Sequence, residues 1–152
     1  MKRGSALIMV LLLSSCLFIL SASFLAKKTA EAKVAQMTRQ KLQAREIAMG
    51  ALETVRVKLL NDSRFPPNLG VNQEVFAYTE TMQNFAGTEE LGRYQVHCDR
   101  RWSQSPYHLL RVTLVSQVGD ASNPVRHKMV ADFSLLPGHR GELLNLMDQG
   151  TF

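Results

Sequence analysis

Residues 5–26 read SALIMVLLLSSCLFILSASFLA, a stretch from Ser5 to Ala26 that holds no charge and follows the basic start Met1-Lys2-Arg3-Gly4. As a helix rising about 1.5 Å per residue it reaches roughly 33 Å, enough to cross the hydrocarbon of a bilayer. Neither Gly nor Pro occurs between Ser5 and Gly50, so nothing breaks a helix there. Lys27 to Asn61 continue as KKTAEAKVAQMTRQKLQAREIAMGALETVRVKLLN, rich in Ala, Lys, Gln, Glu, Arg and Leu. The first part of this extension is mostly polar. In the second part Ala44, Ile47, Ala48, Ala51, Val55 and Leu59 recur at three- and four-residue spacing, the mark of a helix packed along one face. Gly50 is the weak point, read either as ordinary helix packing or as room for a second helix. Asn61-Asp62-Ser63-Arg64-Phe65-Pro66-Pro67 ends the helix with turn-formers and two prolines.

Beyond the helix, strand signals arrive in order. Residues 93–99 alternate, with Tyr94, Val96 and Cys98 on one face. Residues 108–118 place Leu110, Val112, Leu114 and Ser116 together, and residues 125–136 place Met129, Ala131 and Phe133 opposite Val130. Short links (Ser103-Gln104-Ser105-Pro106, and Gly119 to Pro124) favour antiparallel neighbours. Glu74 to Thr79 reads as a further short strand, and Glu142 to Asp148 as one or two helical turns. The fold class expected is α+β: a long N-terminal helix whose amphipathic part covers an antiparallel sheet of three to four strands.

The chain has 152 residues and a formal net charge of +5, thinly spread apart from Arg100-Arg101. No basic cluster with interleaved aromatics suggests a nucleic-acid partner. Cys16 and Cys98 form no disulfide framework; Cys98 reads as a small buried hydrophobe. His97, His108, His127 and His139 lack metal-ligand spacing. Ser103 and Ser105 sit outside any nucleophile elbow, and adjacent His97, Cys98 and Asp99 point to opposite faces of a strand. No Gly-rich phosphate loop is present. The expectation is a non-enzymatic protein with no cofactor and no metal.

Three fates of the N-terminus follow from the residues. Leu13-Ser14-Ser15-Cys16 resembles the lipobox of bacterial lipoproteins, although Leu17-Phe18-Ile19-Leu20 keep the run apolar after the Cys. Ser21-Ala22-Ser23 could serve as a secretory cleavage site, although the apolar stretch exceeds the usual 7–15 residues of a signal. In the third, the run is retained and only the leader is lost.

Lys2-Arg3-Gly4-Ser5-Ala6-Leu7-Ile8 resembles the leader of type IV prepilins and pseudopilins, closest to PilX-type minor pilins and GspK-type minor pseudopilins. Ala44 to Glu53 (AREIAMGALE) is similar, loosely, to a downstream stretch of the PilX type. The two pieces cover roughly the first sixty residues. The resemblance implies residues 1–4 as leader, 5–26 as membrane-spanning helix, 27–62 as its polar and amphipathic continuation and 63–152 as a pilin-like head. It implies prepilin peptidase cleavage between Gly4 and Ser5, N-methylation of Ser5, and a subunit of a type IV pilus or type II secretion pseudopilus. Partners implied are other pilins through the N-terminal helix, the peptidase, the inner-membrane assembly platform and membrane lipid. The location implied is the bacterial inner membrane, with the N-terminus cytoplasmic, the head periplasmic, and a filament after assembly. Met9 stands where major pilins carry Glu, which the resemblance associates with a minor, tip-placed subunit. The alternative is a single-span envelope protein with a small ligand- or partner-binding domain.

Overall fold

The computed structural model describes the backbone of residues 3–67, 74–84, 86–119 and 122–152, with side chains from Leu7 onward. Helix α1 (Arg3–Asn61) is followed by five strands: β1 (Val75–Gln83), β2 (Glu90–Asp99), β3 (Leu109–Val118), β4 (Val125–Ser134) and β5 (Leu143–Thr151). The chain divides into two compact units, Met1–Thr38 and Arg39–Phe152. The described part of the first is helix alone. The second holds the rest of α1 and a single antiparallel sheet in the order β1-β2-β3-β4-β5, an α+β meander.

The sheet has five strands where the sequence predicts three to four. β1 lengthens the expected segment at 74–79 to Gln83. At the C-terminus the predicted helical turns at 142–148 are instead β5. The cause is the free edge of β4. Gly138 and Gly141, at φ 88° and 79°, turn the chain back, and β5 then pairs Asp132 with Asn145, Ala131 with Leu146 and Val130 with Met147. Ladder bonds along a whole strand outweigh the local helix preference of a Leu-rich segment.

Within the second unit the apolar stripe of α1 lies across the sheet. Ala44, Ile47, Ala48, Ala51, Val55 and Leu59 are all buried, joined by Leu52. Facing them are Tyr94, Val96 and Cys98 of β2, Leu110, Val112 and Leu114 of β3, and Met129, Ala131 and Phe133 of β4. Polar contacts fix the register of helix on sheet. Buried Ser116 donates its hydroxyl to the Ala44 carbonyl at 2.6 Å, and Gln43 donates to the Leu91 carbonyl at 2.9 Å. At the other end Arg140 donates to the carbonyl of Leu59 (2.9 Å), one of the groups that a helix C-terminus leaves open, and to that of Phe65 (2.7 Å) in the segment after it.

Two glycines lie under this contact. A Cβ on Gly50 would approach the Met82 methyl of β1 at 2.9 Å, so the near neighbour of Gly50 is a strand of its own sheet. A Cβ on Gly92 would meet the Gln117 carbonyl at 2.6 Å and Ile47 Cδ1 at 2.7 Å, wedging β2 between backbone and helix. Gly92→Ala is therefore expected to destabilise the fold by about 1–3 kcal/mol, as overpacked cores do. The urea midpoint followed by Trp102 fluorescence measures this, and an unchanged midpoint would contradict the close approach.

Candidate membrane and assembly segment

Every large apolar side chain from Leu7 to Leu25 is 60–75% exposed. The segment passes, by length and composition, as a membrane span, with a mean hydropathy of 2.5 and none of it buried. The apolar helix of a soluble core would bury at least one face; this one buries none. Its few polar groups are internally satisfied. Ser14 and Ser15 donate to the carbonyls of Leu11 and Leu12 (3.0 and 2.8 Å), and Ser21 and Ser23 to those of Leu17 and Ile19 (both 2.8 Å). Hydroxyls folded back onto their own helix suit a medium without water. After Ala26 the character changes: Lys28 pairs with Glu31 at 2.9 Å and lies 5.6 Å over the Phe24 ring.

The residues singled out in this segment fall as follows. Met9 is exposed on α1. Gly4 and Ser5 belong to the helical backbone, while the Ser5 side chain and residues Met1 and Lys2 lie outside the described residues. Cys16 is exposed on the helix and Cys98 is in the core, unpaired. Burial pushes the Cys98 thiol up to about 12, so it is a neutral packing group at physiological pH.

The histidines do not converge. His97 is half-buried on the outer sheet face. His108 precedes β3 at φ 47°, and His139 contacts Glu142 at 2.9 Å. Buried His127 has Nε2 3.0 Å from an Asp148 oxygen, a contact not aligned as a hydrogen bond, and Nδ1 3.2 Å from the Thr151 hydroxyl. Among the described residues no three or more His, Cys, Asp or Glu side chains are grouped to hold a metal ion. Ser103 donates to the Arg100 carbonyl at 2.6 Å, a turn contact.

The sheet's ionic groups are arranged for structure. Arg111 on β3 reaches across to Asp132 on β4 at 2.8 Å, and this pair holds the Asp132 carboxyl below its ordinary value against the opposing effect of burial. Glu80 is pushed up by burial, but hydrogen bonds from Lys58 (2.6 Å) and from the Tyr94 hydroxyl outweigh this and leave it lowered. Tyr94 itself is raised to about 12, by burial first and then by that carboxylate. Lys58 also lies 4.3 Å over the Tyr78 ring. The sequence shows neither pairing, because the partners come from different strands or from helix and strand. No family model matches this sequence, and comparison with curated proteins and solved structures finds no match.

Proposed function

We propose that the chain is a minor pilin or pseudopilin, a non-enzymatic subunit that assembles through its N-terminal helix into a type IV pilus or a type II secretion pseudopilus. What carries the reading is the uncovered apolar run of α1, joined without a break to an amphipathic stretch that packs across an antiparallel sheet. An apolar helix with no partner in its own chain finds one in lipid before assembly and in the helices of other subunits afterwards. The leader residues Lys2, Arg3 and Gly4 support cleavage before Ser5 by a prepilin peptidase, with N-methylation of the new terminus. Working partners are then the inner-membrane assembly platform and other pilins, with the head on the periplasmic side. Lys27, Lys28 and Lys33 follow the run as Lys2 and Arg3 precede it, so this orientation rests on the leader and not on flanking charge.

Met9 favours a tip position. A subunit without a carboxylate there offers no partner to the terminal amine of a neighbour, and an unpaired charge in an apolar helix bundle is expensive.

The experiment is the intact mass of the mature chain from cells with and without prepilin peptidase. The expected result is a peptidase-dependent loss of residues 1–4, abolished by Gly4→Val. A full-length N-terminus in the presence of the peptidase sinks the reading in favour of a single-span envelope protein with a partner-binding domain. Loss of everything up to Ser23, or a lipid-sized gain at Cys16, would point to the signal-peptide or lipoprotein alternatives.

A further inference from the structure

The sheet face turned away from α1 holds a recess of about 650 Å³ between β1 and β4. Its polar lining includes Arg93 and Gln95 of β2, Gln117 of β3 and Arg126 and Lys128 of β4, with Phe152 at its rim. No Asp or Glu side chain lines it. Elsewhere on the same face charges are matched, Arg111 with Asp132 and Asp99 with Arg101. Arg93 is shared with Glu90 at 2.8 Å. Arg126 and Lys128, by contrast, have no side-chain partner among the described residues. A sheet that pairs its cations at one end and leaves two unpaired around a hollow at the other has an electrostatic vacancy for an anion.

The spacing narrows the chemistry. Arg126 and Lys128 are two residues apart on one face of β4, about 7 Å along the strand. Arg93 and Arg126 stand in register through Gln117, two strand spacings or about 10 Å apart. An extended peptide presents alternate side chains at that same 7 Å period, so carboxylates at positions i and i+2 meet Arg126 and Lys128 together. Other anionic surfaces fit less well. Two rings line the recess on this face, His97 of β2 and Phe152 at the rim, too few for the run of successive stacked bases that single-stranded nucleic acid uses. A hollow also draws its cations back from a flat lipid surface.

We propose that this outer face is a docking site for an extended acidic segment of a partner protein, held by Arg126 and Lys128 with Arg93 across the sheet. The site stands whether or not the leader is cut, and its test reads neither cleavage nor assembly.

The test is fluorescence anisotropy with the full chain in non-ionic detergent and a fluorescein-labelled peptide of alternating Glu and Thr. The wild-type chain is expected to bind it, more weakly as salt rises, and not to bind the matching Lys-Thr peptide. R126E/K128E is expected to weaken binding tenfold or more, and R126Q/K128Q by less, while R64E, a charge reversal off this face, leaves it unchanged. Unaltered Trp102 emission certifies that each variant is folded. Failure of the wild-type chain to bind overturns the proposal, as does equal binding by the two β4 variants or an equal loss in R64E. Tighter binding of an oligo-dT strand or of phosphatidylglycerol vesicles through Arg126 and Lys128 overturns the assigned ligand.

Discussion

Phe133→Ala is expected to destabilise the head by about 3–5 kcal/mol, the range for removing a buried aromatic from a core that only partly collapses around the gap. Phe133 is the largest fully buried side chain among the described residues. It belongs to the cluster joining the α1 stripe to β2, β3 and β4, where its neighbours are themselves held by helix and sheet. Since domains of this size are stable by only about 5–15 kcal/mol, the loss consumes a large share of the whole. Trp102, the single tryptophan, stacks edge-on to Tyr107 at 5.2 Å in the β2–β3 connection and reports unfolding of this unit separately from the N-terminal helix. A shift below about 1 kcal/mol in the urea transition would mean that the α1–sheet contact is not the core.

Deleting residues 5–26 is expected to move the chain almost entirely from the membrane pellet to the supernatant after carbonate extraction. Twelve Leu, Ile, Phe and Val residues lie in the deleted stretch. At roughly 0.3–0.6 kcal/mol each at a helix centre, they favour insertion by about 4–7 kcal/mol, with no charge to oppose them. None of the buried core residues is lost, because the core begins at Ala44. A milder variant, Leu12→Arg, sets about 2.5–3.5 kcal/mol against insertion and should leave a mixed distribution. If the deleted chain stayed in the pellet, membrane association would have to reside in the second unit.

The parts of this fold that were legible are those with one face covered. The helix stripe from Ala44 to Leu59 and the alternation of β2 and β3 each reflect burial against the same partner, so the pattern appears residue by residue; β4 keeps Met129, Ala131 and Phe133 on that face, although Val130, Asp132 and Ser134 on the other are buried too. β5 leaves no such imprint. Leu143, Leu144, Leu146 and Met147 are all 37–55% exposed, and the register shifts opposite Asp132 and Phe133, so its Leu-rich string has no clean period of two. Leu52 escaped the stripe because it lies at its margin, where burial depends on the width of the sheet beneath. The cationic face was hidden for a different reason. Arg93 and Arg126 are far apart in the chain and become neighbours only through the β2–β3 and β3–β4 registers, so along the sequence the charge is thinly spread. The leader residues Gly4 and Ser5 stay a matter of sequence, since a recognition string cut by another enzyme needs no tertiary contact of its own.

The side-chain bonds between α1 and the sheet in the second unit have a mechanical meaning. Gln43 and Ala44 are tied to Leu91 and Ser116 near one end, and Lys58 and Leu59 to Glu80 and Arg140 near the other. A pull on the chain along the axis of this part of the helix loads these ties together, in shear, along with the interlocked side chains between them. It does not peel them open one at a time. Contacts loaded in parallel yield only when many give way at once, so this unit can be hauled by its helix and arrive folded.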